Sequence, residues 1–450
     1  MTAQTAGTTV SLREKRKSVA ASTVGNILEW YEWSAYAVFT PFIAAAMFNS
    51  EDSVSAVLAT LGVFAVGFLM RPLGGIVFGR IADRKGRKFV LITTMLIMAA
   101  GSLIIAVMPG YAQIGAAASF ILLLVRVAQG FAHGGESATA NSYIAEIAPP
   151  HRRGLWGSIV FIAIFGGSVL AYTVGGAVTN LFSADAVSEW AWRIPFALGA
   201  LLALVALYMR RGMIESDVFA AASAGGQDGA AAAVGSAGAG DSAAGRPLAE
   251  AAPLDRGRVT RSIILVVLMT SGITAAHYTW SSYASTLAIT ERGMDPQAAY
   301  WATVGAQVIA LISLPFWGAL SDRIGRRPVL IGFGVLMAVL QYPLMGMITS
   351  AGWTLFAASA IALLVVSMAG ALLSAVLSEA FPTKVRTQGI GFAYSVSVAV
   401  FGGTAPYLNG LFNSLDLRWL SSGWVILLCL ATIIAVALLP ETKGKDLGEI

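Results

Sequence analysis

Twelve apolar runs follow one another along the 450 residues, at roughly 19–47, 55–79, 89–108, 115–145, 155–182, 193–210, 261–289, 297–320, 329–349, 352–378, 387–413 and 421–439. Each approaches or exceeds the ~20 apolar residues that carry a helix across a hydrocarbon layer. The short polar segments between them are alternately rich in Lys and Arg and nearly free of both. This pattern predicts an all-α polytopic membrane protein with twelve transmembrane helices, since only segments that satisfy their own backbone hydrogen bonds can cross lipid.

Composition excludes a soluble alternative. Apolar residues make up 57% of the chain and charged ones 12%, with mean hydropathy +0.74, far from the roughly 45–50% and 25% of soluble domains. The single cysteine rules out a disulfide framework and offers no zinc or redox pair. No nucleophile motif, metal cluster or phosphate loop marks an enzyme, so neither cofactor nor metal is expected.

Two loop types recur. GRIADRKGRKFVLI (79–92) returns as GALSDRIGRRPVLI (318–331), placing Asp83 and Asp322, and Gly86 and Gly325, 239 positions apart. YIAEIAPPHRRG and VLSEAFPTKVRT place Glu146 and Glu379, Pro149 and Pro382, and Arg153 and Arg386, 233 positions apart. Two loops repeated in the same order indicate parallel repeats about an axis along the membrane normal.

With both termini placed in the cytoplasm, 24 of the 29 basic residues fall on the cytoplasmic side; Arg193, Arg292 and Arg418 fall outside, and Arg71 and Arg126 within spans. The asymmetry sets the orientation by the positive-inside rule. It also explains a pI of 9.3 without nucleic acid. The expected organisation is a cytoplasmic arm (1–18), a first six-span unit (19–211), a cytoplasmic linker rich in Ala, Gly and Ser (212–260), a second six-span unit (261–439) and a cytoplasmic tail (440–450). The linker can bury little and serves as a tether.

Ionisable groups inside spans are costly and line a polar route or pair with one another. Span 1 carries Glu29 and Glu32 near its middle, with Trp30, Trp33 and Tyr36. In span 4, Arg126, Gln129, His133 and Glu136 share one helix face at i, i+3, i+7 and i+10. Arg71 lies eight residues inside Gly79, ~12 Å from that end of span 2. Span 7 adds His277, Tyr278 and Trp280. Fixed cations favour an anion and buried carboxylates can carry protons, a combination suited to proton-coupled uptake of an organic anion. Plainer readings stand beside this one: Glu32 and Arg126 as a structural ion pair, Glu136 as a helix anchor, the histidines and aromatics as packing groups, and Gly74, Gly75 and Gly79 as points of close helix contact.

The twin loop resembles the hallmark of the major facilitator superfamily. GNILEWYEW, GFLMRPLGGIVFGRIADRKGRK, RVAQGFAHGGESATANSYIAEIAPPHRRG, WRIPFALGA, SEAFPTKVRTQGIGFAY and PETKGKDL resemble the metabolite:proton symporter family, which includes 2-oxoglutarate, citrate, dicarboxylate, shikimate and proline/betaine permeases. The resemblance implies two six-helix bundles that rock about a substrate site at their interface, with the protein acting as a monomer in the cytoplasmic (inner) membrane. It implies a gate at Asp83, Gly86, Arg87, Glu146 and Arg153 in the first half and at Asp322, Arg326, Glu379 and Arg386 in the second. Glu32, Glu136 and Glu29 are then the candidate proton carriers, and Arg71, Arg126, Gln129, His133, Tyr36, His277, Tyr278 and Trp280 the candidate substrate contacts.

The reading that follows is inward symport of a small organic acid, such as a di- or tricarboxylate or 2-oxoglutarate, with one or more protons. A proton-coupled osmolyte or shikimate permease is the alternative. Drug:proton antiport fits less well, because span 5 has paired glycines where antiporters carry a Gly-Pro motif.

Overall fold

The computed structural model describes residues 12–49, 51–85, 87–134, 144, 148–211, 256–382 and 385–447. Among these all regular structure is helical. Span 1 is Leu12–Val38 continued by Thr40–Met47, span 2 is Ser53–Leu69 continued by Arg71–Lys85, and spans 3 to 6 are Arg87–Val107, Ala116–His133, Arg153–Leu181 and Ile194–Arg211. In the second half, span 7 is Arg256–Tyr278 with Ala284–Thr290, and spans 8 and 9 are Pro296–Ile324 and Arg326–Met347. Span 10 is Gly352–Gly370 with Leu373–Glu379, span 11 is Arg386–Ser397 with Ala405–Ser414, and span 12 is Arg418–Leu438.

Nine of the described helical stretches are long and apolar enough to cross a membrane. Spans 1, 3 and 11 fall short of that measure for local reasons. Span 1 is weighted by Arg13, Lys15, Arg16, Lys17, Glu29 and Glu32, the apolar part of span 3 is Ile92–Val107, and span 11 is interrupted.

The interruptions have chemical causes. Pro72 has no N–H to give the Phe68 carbonyl, and span 2 breaks at Met70, just before Arg71. Pro406 likewise offers nothing to Gly402, and span 11 widens into a π turn over Val398–Gly403. Span 7 widens in the same way over Thr279–Tyr283. Such π turns redirect side chains and gather at functional sites; here both border the interface between the halves.

Packing repeats with the sequence. Span 1 lies on spans 5 and 6, span 2 on span 4, and span 3 on spans 4 and 6; six spans on, span 7 lies on 11 and 12, span 8 on 10, and span 9 on 10 and 12. The two bundles meet where span 5 packs on span 8 and, by the same shift, span 2 packs on span 11. Small residues set the closest approaches. A Cβ on Gly130 of span 4 would sit 1.9 Å from the Gly67 carbonyl oxygen of span 2, so these two backbones touch and bring Arg71 and Arg126 to neighbouring positions. Large apolar side chains such as Val107, Leu181, Tyr208, Ile312 and Leu427 stay exposed on the outer surface, as lipid-facing groups do.

Candidate functional site

Trp33 of span 1 is buried at the centre of the molecule, and two guanidiniums lie over its ring: Arg126 with its Cζ 4.0 Å from the ring centroid and Arg71 at 4.3 Å. Arg71 also lies 3.6 Å from the Phe68 centroid, and Arg126 lies 4.4 Å from that of Tyr36. Ring faces attract cations, but they do not fill N–H donors. Nε and Nη2 of both arginines are buried with no hydrogen-bond partner, and so is Trp33 Nε1.

One donor is committed, and it starts a chain. Arg126 Nη1 donates to Gln129 Oε1 at 3.0 Å, Gln129 Nε2 donates to Ser102 Oγ at 3.1 Å, and Ser102 Oγ donates to Glu32 Oε2. Glu32 is 5% exposed, and its Oε1 has no partner. The structural Glu32–Arg126 ion pair of the plainer reading is not formed, because Gln129 of span 4 and Ser102 of span 3 stand between the two. Gly101 makes room for this: a Cβ there would fall 2.8 Å from Gln129 Cγ.

The second bundle supplies polar groups opposite. His277 and Tyr278, with Ser281 and Ser282 of the π turn, line a small cavity with Trp30, Trp33 and Phe64. The His277 ring packs edge-on against Phe161 and Phe165 of span 5, with its Nδ1 unpartnered. The Tyr278 hydroxyl faces Arg71 and interacts with it short of a full hydrogen bond, and Tyr394 of span 11 also lies in the electrostatic neighbourhood of Arg71.

Three expected contacts are placed differently. Trp280 faces away from the cavity into its own bundle, where its Nε1 donates to Gln341 Oε1 at 2.8 Å. The Tyr36 hydroxyl is spent on the Thr60 carbonyl at 3.1 Å, so Tyr36 offers only its ring. His133 pairs through Nδ1 with Glu29 Oε1 inside the first bundle.

A second polar cluster closes the face that carries the basic loops. Asp322 caps span 5 of the other bundle, its two oxygens accepting the N–H groups of Gly154 and Leu155, each at 2.9 Å, where the positive end of the helix dipole favours a carboxylate. Arg326 Nη1 donates to Asp322 at 2.7 Å, and Arg153 Nη1 joins Glu379 at 2.9 Å across the bundles. Arg386 donates to the Ser378 and Leu447 carbonyls at 3.0 and 2.8 Å. Glu441 of the tail caps span 9 through the N–H groups of Arg326 and Arg327. Burial alone would raise the Glu441 carboxyl, but these and the Lys443 and Thr442 N–H groups hold it below the usual carboxylate range.

The opposite face is closed as well: Tyr300 of span 8 donates to the Val38 carbonyl at 2.8 Å, and Tyr172 bonds Ser285 at 2.6 Å. Glu136, Glu146 and Gly86 lie outside the described residues, as do the side chains of Asp83 and Arg87. Ser102, Phe68 and Tyr394 are the site residues that sequence reasoning missed. Ser102 lies next to Gly101 in an otherwise apolar run, and that Gly-Ser pair was its one signal.

A profile of the family described as sugar (and other) transporter matches residues 17–450. The chain is similar to an alpha-ketoglutarate permease of Escherichia coli (strain K12), 34% identical over 99% of this chain and 98% of that protein. It is also similar to a citrate-proton symporter of Salmonella typhi, 32% identical over 89% and 88%, and to an ectoine/proline transporter of Corynebacterium glutamicum, 31% identical over 96% and 85%. The fold is that of the crystal structure of a D-xylose-proton symporter, with a TM-score of 0.72 at 19% identity over 96% of this chain and 99% of that one.

Proposed function

The chain belongs to the sugar (and other) transporter family of the major facilitator superfamily, and from that membership we propose that it carries a small organic anion inward together with protons, by alternating access. The observation that carries this reading is the pair of buried arginines over Trp33, with Nε and Nη2 of each unfilled. Burying a cation with unfilled donors costs several kcal/mol. Glu32 and Glu29 offset part of the charge of Arg126 and Arg71 from a distance, but the open donors of the two guanidiniums are filled only by an added anion, and a carboxylate matches the planar fork. The relatives named for alpha-ketoglutarate and citrate agree with such a substrate.

Glu32 is the proton carrier in this mechanism, with Gln129 and Ser102 coupling it to Arg126. When Arg126 is empty, its charge compensates the Glu32 carboxylate through the chain. An anion that occupies Arg126 removes that compensation, and a proton joins Glu32 instead. Substrate and proton therefore enter together. Tyr278, His277 and Tyr394 complete the site from the second bundle.

Asp322, Arg326, Arg153 and Glu379 form the cytoplasmic gate, with Asp83 and Glu146 as their counterparts by the sequence repeat. Both termini and the basic loops face the cytoplasm of a cell whose inner membrane holds the protein as a monomer, and the linker tethers the two six-span units. The ectoine/proline relative represents the nearest rival substrate class; such a zwitterion brings one carboxylate for two guanidiniums and sets a cationic nitrogen beside them, which a di- or tricarboxylate does not.

Thermal-shift measurements on the detergent-purified protein against mono-, di- and tricarboxylates, shikimate, proline and betaine test the substrate class. A di- or tricarboxylate should stabilise the protein, and Arg71→Gln or Arg126→Gln should abolish the effect; stabilisation by proline or betaine alone would refute it.

A further inference from the structure

A second pocket lies inside the first bundle, between spans 1, 3, 4 and 6. Gly25, Glu29 and Glu32 line it from span 1, Thr94 from span 3, His133 from span 4 and Ala203 from span 6. It shares no lining residue with the central cavity, and Trp30 and Trp33, whose rings meet His133 edge-on at 5.7 and 5.6 Å, stand between the two.

Three observations give the pocket a direction and a chemistry. The unpartnered Oε1 of Glu32 points toward span 6, since a Cβ on Gly199 would fall 2.4 Å from it. Glu29 lies on the same face of span 1 at i−3 and touches His133. Gly25 and Thr94 continue the lining toward the basic loops, Gly25 standing ~10 Å from Glu32 along the helix. The pocket therefore leads from the buried carboxylate, past a carboxylate–imidazole pair, toward the face with the basic loops.

We propose that the Glu29–His133 pair is a second proton-binding site in series with Glu32, and that protons leave by this pocket while the anion leaves by the central cavity. The proposal rests on the reading of Glu32 as proton carrier. Glu32 gives its proton to water in the pocket and is left as a carboxylate held by Ser102; water passes a proton to the Glu29–His133 pair, which releases it to the basic-loop face. Among the described residues, these charged and titratable groups act on the route. Arg71 of span 2 acts on Glu29, Arg126 of span 4 and Ser102 of span 3 act on Glu32, and Tyr31, whose hydroxyl is held by the Pro195 carbonyl, stands beside Glu32. Among its described side chains, span 6 contributes no titratable group to the lining. Two exits would let proton and anion part without crossing the same constriction.

The test uses the full chain in proteoliposomes, with 2-oxoglutarate as the probe. Glu29→Gln and His133→Gln should each lower gradient-driven net uptake at least tenfold, keep 2-oxoglutarate counterflow near the unmodified rate, and flatten the dependence on internal pH. Counterflow moves no net proton, so its retention separates proton release from folding. If either variant loses both modes, Ala203→Leu, which fills the pocket and leaves every titratable group in place, should lower net uptake with counterflow intact. Net uptake and an internal-pH profile unchanged in these variants overturn the second site and leave the Glu32 reading standing. An unmodified protein that accumulates no 2-oxoglutarate under the gradient overturns both.

Discussion

Glu32 and Arg126, both buried, are connected without touching: Ser102 donates to the carboxylate, Gln129 donates to Ser102, and Arg126 donates to Gln129. An ion pair would bind the two charges to one another. The chain instead leaves Glu32 Oε1 and two nitrogens of Arg126 available for a proton and an anion.

Breaking the chain at Gln129 should therefore uncouple the two ligands. Gln129→Ala leaves Ser102 and Arg126 short of a buried partner, a cost of about 1–3 kcal/mol that a lowered melting temperature would register. Net proton-driven uptake should fall at least tenfold with counterflow retained. An unchanged coupling ratio in this variant would remove the chain from the mechanism.

Arg126→Lys and Arg71→Lys keep the charge but lose the planar fork and the stacking on Trp33. Hydrogen bonds to charged groups contribute about 1.5–3 kcal/mol, so anion affinity should drop roughly tenfold or more in each, read by titrating the melting temperature or the tryptophan fluorescence. Affinity unchanged in both variants would place the anion elsewhere.

The proposed gate would rest on backbone contact as well as charge. A Cβ on Gly318 would lie 2.6 Å from the Gly154 carbonyl oxygen, and Asp322 caps the same helix end. Gly318→Val or Asp322→Ala should hold the basic-loop face open. In a Cys429→Ser background, a cysteine at Ser321 should then react with a water-soluble maleimide several times faster than in the parent, and equal rates would show that neither contact governs closure.

Acid should release the tail. The Glu441 carboxyl is held below the usual range because four backbone N–H groups stabilise its charged form against burial. A depressed folded-state value means the stabilisation is fully present above the unfolded value of ~4.3 and is lost as pH falls through the lower one. A spin label attached to a cysteine at Lys445, whose side chain is exposed, should be held still at neutral pH and gain mobility only below about pH 4. In Glu441→Gln the label's mobility should lose that pH dependence; an acid transition that survives the substitution assigns it to another group.

The sequence conveyed the twelve spans and the duplication because hydrophobic length and loop charge are local properties. It conveyed Arg71 and Arg126 because a charge in hydrocarbon stands out. It misjudged relations between helices. Arg126, Gln129 and His133 share a face by spacing, yet the first two act through Ser102 and Arg126's aromatic neighbours while His133 turns to Glu29, because span 4 is wide enough to meet spans 1, 2 and 3 at once. Trp280 lies in a π turn whose extra residue changes the facing that a regular helix would give. Asp322 was legible from its repeated loop, but its partners in the other bundle are backbone N–H groups at the start of span 5, which carry no side-chain signature.

The most direct test is uptake into proteoliposomes under an imposed inward proton gradient, comparing the unmodified protein with Glu32→Gln. The unmodified protein should accumulate a di- or tricarboxylate against its gradient; Glu32→Gln should lose that accumulation and keep counterflow. Accumulation of proline or betaine with no carboxylate, or gradient-driven carboxylate accumulation that survives in Glu32→Gln, would contradict the account.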